Sequence, residues 1–159
     1  MGTLVSYTVV DTHYIKVAAM ARPTSFRLPE DLLEQLDREA DASGASVTSL
    51  VASLLSEGIN TRRFPGVIYR DGPTGRRAGL VAGPDIWEVI RAVGTANGRG
   101  EKRLHAVADS TGLALSKIRL AVDFYTAHPD EIDRRIQADD REAERIRELI
   151  NRREHLLSS

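Results

Sequence analysis

The sequence predicts a mainly α-helical protein with a short N-terminal strand, a small β-hairpin and a long C-terminal helix. Aliphatic residues recur at helical spacing along most of the chain. One early segment alternates apolar and polar residues, and one turn-rich segment separates two short strand-forming runs. With 159 residues, 42% of them apolar and 5% aromatic, the chain fits one domain or two small ones with aliphatic cores.

The composition argues against an enzyme or a metalloprotein. The sequence has no cysteine, which excludes disulfides, thiolate zinc sites and a cysteine nucleophile. Its four histidines are scattered, and the glycine-rich segment RDGPTGRR lacks the lysine that follows the last glycine of a phosphate-binding loop. We therefore predict no catalytic residues, no metal site and no cofactor.

Charge is segregated along a chain whose net charge is only −1. Residues 20–60 hold three arginines and seven acids, whereas residues 61–77 hold five arginines and one aspartate. This distribution excludes a uniformly basic DNA-binding surface but allows local basic patches. Because the sequence shows neither a secretory signal nor an apolar run of about 18 residues, we expect a cytoplasmic protein.

Residues 22–60 predict a strand followed by two helices, after an extension over residues 1–21 that we expect to be disordered. Phe26 and Leu28 alternate with Ser25 and Arg27, which is typical of a half-buried strand. Pro29 suits the start of a helix, whose apolar positions are Leu32, Leu33, Leu36 and Ala40.

A tight turn separates the two predicted helices. Gly44 ends the first helix and Ser46 caps the second. The apolar positions of the second helix are Leu50, Val51, Leu54 and Leu55, and Gly58 ends it. One strand and two short helices bury too little apolar surface to stand alone, so we expect two copies to pair their strands across a two-fold axis.

The segment TSFRLPEDLLEQLDREADASGASVTSLVASLL resembles the ribbon-helix-helix family of DNA-binding proteins. The resemblance implies a dimer whose two-stranded ribbon enters the DNA major groove. The side chains that would face the bases are those of Arg22, Ser25 and Arg27. Alternatively, Arg27 is an ordinary exposed charge. The expected dimer core consists of Phe26, Leu28, Leu36, Leu50 and Leu54.

Two further groups of residues are candidates for contacts with DNA phosphates. The resemblance places a phosphate at the N-terminus of the second helix, on Ser46, Val47 and Thr48, although Ser46 as a plain helix cap is the simpler alternative. A basic linker over residues 61–65 and the hairpin after it supply Arg62, Arg63, Arg70, Arg76 and Arg77. The alternative for this basic group is a solvated linker.

Residues 66–137 predict a hairpin followed by several helices. The blocks GVIYRDGPTGRRAGLVAGPDIWEVIRAV and LALSKIRLAVDFYTAHPDEIDRRI resemble a small helical domain found in VapB-like antitoxins, often behind a ribbon-helix-helix. The resemblance implies a winged or homeodomain-like fold and, as a partner, a PIN-like nuclease toxin. A second helix-turn-helix at residues 101–127 would present Lys117 and Arg119 to DNA, but its third helix is mostly apolar, which favours a core or interface element instead.

Residues 130–157 predict a charged helix, of which residues 138–159 form a separate C-terminal segment. Its isoleucines approximate a heptad stripe that Asp139 and Arg153 interrupt, so a sustained coiled coil is not expected. The apolar residues available for a partner protein are Ile146, Leu149 and Ile150.

These features predict a dimeric, sequence-specific DNA-binding repressor associated with the nucleoid. The resemblances sharpen this to the antitoxin of a type II toxin–antitoxin pair that regulates its own operon. Two alternatives remain: a ribbon-helix-helix regulator without a toxin, and an interaction protein with a degenerate ribbon.

Overall fold

The structure is a computed structural model that describes residues 27–72 and 75–158. The described residues form six helices and one two-stranded antiparallel sheet, which confirms the predicted helical architecture with one small hairpin. None of these six helices is long and apolar enough to cross a membrane. In chain order the elements are α1 (Glu30–Ser43), α2 (Val47–Arg63), β1 (Val67–Arg70), β2 (Arg77–Leu80), α3 (Ile86–Thr95), α4 (Glu101–Thr111), α5 (Leu115–Ala127) and α6 (Pro129–Leu157).

Helices α1 and α2 form a pair whose turn is set by local sequence. Gly44 adopts a left-handed conformation (φ 67°) and its N–H group binds carbonyl groups of the last turn of α1. Ser46 then caps α2, because its hydroxyl oxygen accepts a hydrogen bond of 3.2 Å from the Ser49 N–H group. The predicted helix–turn–helix order and both capping residues are confirmed.

Helix α2 is longer than the sequence suggested, and the difference removes the predicted linker over residues 61–65. Instead of ending at Gly58, the helix runs to Arg63, and the buried Phe64 follows it directly. Tertiary contacts explain this extension: the Asn60 Nδ2 atom donates a 2.8 Å hydrogen bond to the Tyr69 hydroxyl, and the Phe64 ring lies 5.2 Å from the Phe124 ring. These contacts outweigh the cost of a glycine inside a helix, about 1 kcal/mol.

The elements after α2, which are β1, β2 and α3 to α6, form a second unit. The hairpin of β1 and β2 provides one wall of this unit. Strand β1 pairs antiparallel with β2, so that Val67 lies opposite Leu80 and both side chains are fully buried. Gly66, just before β1, has a φ of +103°, and a Cβ atom there would lie 3.0 Å from Leu120 Cδ2. A side chain at this position would therefore be strained, and the Leu120 side chain would have to move by a few tenths of an ångström to accommodate it.

The core of the second unit lies between the hairpin and helices α3 to α6. Asp85 caps α3 through a capping box, in which Glu88 accepts a hydrogen bond from the Asp85 N–H group. The fully buried side chains at the centre come from the hairpin, α3, α4 and α5, and are Val67, Leu80, Ile86, Val107, Ile118 and Phe124. Phe64 and Ile132 add to this core, so α2 and α6 are both anchored in it.

Helix α6 is continuous across residue 138, where the sequence predicted a domain boundary. Its first turns pack on the core through Ile132 and Ile136. Arg91 of α3 then binds Asp139 at 2.6 Å and Asp140 at 2.5 Å. Asp139 lies on the face of α6 that meets the second unit, and there its carboxylate neutralises Arg91. This ion pair explains why an acidic residue interrupts the heptad stripe.

His128, between α5 and α6, lies in the aromatic contact that anchors α2. Its ring centroid lies 4.7 Å from that of Phe124 and 5.8 Å from that of Phe64. Burial, together with the positive charge of Arg63, lowers the pKa of His128 below its ordinary value of 6.5. Protonating His128 is therefore harder in the folded protein than in the unfolded chain.

We expect acid to destabilise the fold through His128. Below about pH 6.5 the unfolded chain takes up a proton that the folded protein resists, so the free energy of unfolding falls until the folded pKa is passed. Urea unfolding followed by Trp87 fluorescence at about pH 7.5 and about pH 5.5 measures this loss. His128→Gln should reduce the loss, whereas His105→Gln, at an exposed position on α4, should leave it unchanged. Equal losses in both variants would contradict the assignment to His128.

Candidate nucleic-acid interface

The predicted base-contacting segment lies at the edge of the described residues. Arg22, Ser25 and Phe26 lie outside them, so their predicted roles stay predictions. Arg27 and Leu28, the described end of the predicted strand, precede α1 and form neither helix nor strand in the single chain. The Arg27 side chain is exposed, as a contact with DNA requires, and Leu28 is half-buried against the helices.

The N-terminus of α2 has the electrostatics of an anion site. Ser46 and Thr48 are exposed, Val47 is half-buried, and the first turn of α2 contains no acidic residue. The first turn of α1, by contrast, carries Glu30 and Asp31. Unpaired N–H groups and the helix dipole make such an N-terminus attractive to a phosphate, and acids would compete with it.

Three of the five candidate basic residues are held in ion pairs. Two of these pairs lie within the second unit, and the third joins this unit to α2. Arg76 donates two hydrogen bonds of 2.8 and 2.7 Å to the carboxylate of Glu57 in α2, and this pairing raises the pKa of Arg76. Arg70 binds the buried Asp85 at 2.6 Å, and Arg77 binds the other oxygen of the same carboxylate. These pairs tie the hairpin to α2 and α3, which leaves Arg76 and Arg77 less suited to bind phosphate than predicted.

The remaining two basic residues, Arg62 and Arg63, are exposed in the last turn of α2. Arg63 also lies over the Phe64 ring, 5.5 Å from its centroid. Helix α2 has 17 residues, so about 24 Å separates its two ends. The two predicted phosphate sites, at Ser46 and at Arg62, are therefore at opposite ends of one helix.

The residues proposed for a second DNA-reading helix are engaged in contacts within the fold. The Lys117 Nζ atom donates hydrogen bonds of 2.9 Å to the carbonyl groups of both Val81 and Ala82. Arg119 binds Glu101 at 2.8 Å, and this pair lowers the pKa of Glu101. Lys117 and Arg119 thus connect α5 with the end of the hairpin and with α4, which gives reading of DNA by α5 no support.

An apolar groove lies open between α1 and α2. Its volume is about 200 Å³, and it is lined by Leu28, Leu32, Leu36, Val51, Leu54 and Leu55. Of the predicted dimer core, Leu36 is already buried in the single chain and Leu50 is half-buried, whereas 46% of Leu54 is exposed. Leu32 and Leu55, which the predicted core omitted, belong to the same groove. The groove has the composition of an interface core.

A cluster that could hold a metal ion is absent from residues 27–72 and 75–158, where no three His, Asp or Glu side chains come close enough together.

Residues 27–63 match the model of a family described as a CopG-like or ribbon-helix-helix domain. The match coincides with α1, α2 and the segment that precedes them, and it supports a ribbon-helix-helix fold for this unit. Proteins with this domain are DNA-binding regulators that dimerise. No curated protein and no solved structure is similar enough to match the chain.

The ribbon-helix-helix match ends at Arg63, where α2 ends and the second unit begins. The resemblance of residues 65–137 to a domain of VapB-like antitoxins therefore stays a prediction. So do the winged or homeodomain-like character of that unit and the toxin partner. The second unit is nevertheless attached to the α1–α2 pair, because Glu57, Asn60 and Phe64 contact it directly.

Proposed function

We propose that the protein is a dimeric, sequence-specific transcription regulator that represses by occupying an operator, and that it acts at the nucleoid. The ribbon-helix-helix match over residues 27–63 carries this proposal. The open apolar groove between α1 and α2 supports it, since a second copy would bury Leu32, Leu54 and Leu55. The test is a mobility shift with DNA from upstream of the gene, against scrambled competitor, at two salt concentrations. Failure to prefer the upstream DNA at either salt concentration would contradict the proposal.

DNA contact divides between two parts of the ribbon-helix-helix domain. Arg27, with Arg22 and Ser25, reads base edges from the ribbon. The first turn of α2, Ser46 to Thr48, binds a phosphate on its N–H groups. We also propose that Arg62 and Arg63 contact phosphates. Because they lie at the opposite end of α2 from Ser46, this contact can be tested separately.

An acid at the N-terminus of α2 should have opposite effects on stability and on DNA binding. Thr48→Glu should stabilise the domain by about 0.3–1 kcal/mol, because a negative charge there complements the helix dipole. The same charge should weaken DNA binding, because it repels and displaces the phosphate. Thermal unfolding and the mobility shift measure the two effects.

Thr61→Glu provides the control for Thr48→Glu, because it places the same charge at the other end of the same helix. Unchanged DNA affinity in Thr61→Glu would confine the phosphate contact to the N-terminus. An equal loss in both variants would instead support DNA contact by Arg62 and Arg63. Unchanged affinity in Thr48→Glu would contradict the phosphate site on α2.

The exposed apolar residues of α6 favour a second candidate, the antitoxin of a type II toxin–antitoxin pair. In that case Ile146, Leu149 and Ile150 would bind the toxin, for which the resemblance suggests a PIN-like nuclease. Co-expression with the product of the neighbouring gene, followed by co-purification, tests this candidate. A variant truncated after residue 140 should lose the partner and keep DNA binding. A regulator without a toxin would show no co-purification.

A further inference from the structure

The C-terminal part of α6 exposes a run of large apolar side chains. We call residues 141–157 the α6 tail. The ion pairs Arg145–Glu142, Arg147–Glu144 and Arg152–Glu148 each join two residues of the tail itself. Between 47% and 77% of the surface of five apolar residues is exposed: Ile146, Leu149, Ile150, Leu156 and Leu157. Single exposed apolar residues are common on soluble proteins, but five of them on one helix form a patch typical of an interaction surface.

The apolar stripe of the tail continues the face by which α6 packs on the second unit. Ile132, Ile136 and Asp139 follow one another at spacings of four and three residues and meet that unit. The same alternation continues through Ala143, Ile146, Ile150, Arg153 and Leu157. A spacing of three and four residues is the seam of a two-stranded coiled coil. Only the first half of this seam is covered by the chain itself.

The residues that flank the seam are complementary in one register. We propose that the α6 tails of two copies of this chain pair antiparallel, with Ile146 of one copy opposite Leu157 of the other. In this register Arg147 lies beside Glu154 of the second copy on one flank, and Leu149 lies beside Leu156 on the other. The two-fold symmetry repeats each contact, so the pairing covers all five exposed apolar residues.

Arg153 decides between antiparallel and parallel pairing. In a parallel pair, Arg153 of one copy would face Arg153 of the other across the seam, and like charges would meet in an apolar layer. In the antiparallel register Arg153 lies opposite Ile150, where its alkyl part packs and its guanidinium reaches the edge. Arg147 pairs with Glu144 in the single chain. In the antiparallel pair its guanidinium would either leave Glu144 for Glu154 of the second copy or bind both carboxylates.

The tail pairing is too small to hold two free chains together. It spans 12 residues, or about 18 Å of helix, and buries less than the roughly 800 Å² per partner of a stable interface. The proposal therefore rests on dimerisation of the ribbon-helix-helix domain, which raises the effective concentration of the tails. The contact therefore forms between the two chains of one dimer.

Cysteine cross-linking tests the register directly, because the chain has no cysteine of its own. Full-length Ile146→Cys and Leu157→Cys proteins should each stay uncross-linked under mild oxidation and form a disulfide-linked pair when mixed. Glu148→Cys and His155→Cys provide the matched control: in this register the two positions share one axial level with each other but lie on the helix face turned away from the seam, so they should not cross-link when mixed. Cross-linking of Ile146→Cys alone would overturn the antiparallel register. Equal cross-linking of the control pair, or none in either mixture, would overturn the pairing.

Charge reversal gives a second, independent readout. Arg147→Glu, introduced into both cysteine proteins, should slow cross-linking at least ten-fold, and adding Glu154→Arg should restore the rate. A parallel pair would place Arg147 beside Glu142, so Glu154→Arg would not restore it. The mobility shift on the same proteins separates the two hypotheses. DNA binding without cross-linking overturns the tail pairing alone, and cross-linking without DNA binding overturns the proposed function alone.

Discussion

Replacing Leu54 with aspartate is expected to abolish both dimerisation and DNA binding. Leu54 lies in the apolar groove between α1 and α2, and 46% of it is exposed in the single chain. Burying a carboxylate there in a dimer would cost at least about 2 kcal/mol per copy. With two copies the loss is about 4 kcal/mol, or roughly a thousand-fold in the dimer dissociation constant. A ribbon needs two strands, so DNA binding should be lost with the dimer.

Val81→Asp is the matched control for Leu54→Asp. Val81 follows the hairpin, far from the groove in the sequence, and its exposure of 48% is close to that of Leu54. Sedimentation velocity and the mobility shift should show loss only in Leu54→Asp. Trp87, the one tryptophan, lies in the second unit, so unchanged Trp87 fluorescence would show that this unit remains folded. A Leu54→Asp protein that still dimerises and shifts DNA would contradict the proposed interface.

The features predicted best from the sequence depend on a few neighbouring residues. The turn between α1 and α2 is one example, because a left-handed glycine and a serine cap are encoded within three positions, Gly44 to Ser46. The hairpin is another, since strand-forming residues flank a dense turn signal. In both cases the local free-energy preference agrees with the final packing.

The predictions that differ from the structure depended on residues distant in sequence. The basic group around the hairpin looked available for DNA because its acidic partners, Glu57 and Asp85, come from α2 and from the start of α3. Gly58 looked like a helix end because the contacts of Asn60 and Phe64 with the second unit cannot be read locally. Asp139 looked like a defect in a heptad because its partner, Arg91, is 48 residues away.

Ion pairing, rather than charge count, therefore limits which arginines are available to bind a DNA phosphate. Arg76 and Arg77 are bound to carboxylates, whereas Arg27 is exposed beside a ribbon-helix-helix match. The domain as a whole is acidic over residues 20–60, so a few well-placed groups must supply its attraction to DNA. The ribbon arginine, the N-terminus of α2 and the exposed Arg62 and Arg63 are the groups that remain.

Arg27→Ala is expected to remove most sequence discrimination while leaving weak DNA binding in place. An arginine that donates two hydrogen bonds to guanine contributes about 1–3 kcal/mol of discrimination, and a dimer loses two such contacts. Specific affinity should fall by at least about thirty-fold, whereas affinity for scrambled DNA should fall little. Competition mobility shifts measure the ratio of the two affinities.

Arg38→Ala is the matched control for Arg27→Ala, because it removes an equal charge from an exposed position on α1, where Arg38 is paired with Glu34. A fall in specific affinity confined to Arg27→Ala would assign base reading to the ribbon. Similar small losses in both variants would make Arg27 an ordinary exposed charge with no role in reading bases. Unchanged specific binding in Arg27→Ala would shift the reading of bases to Arg22 and Ser25.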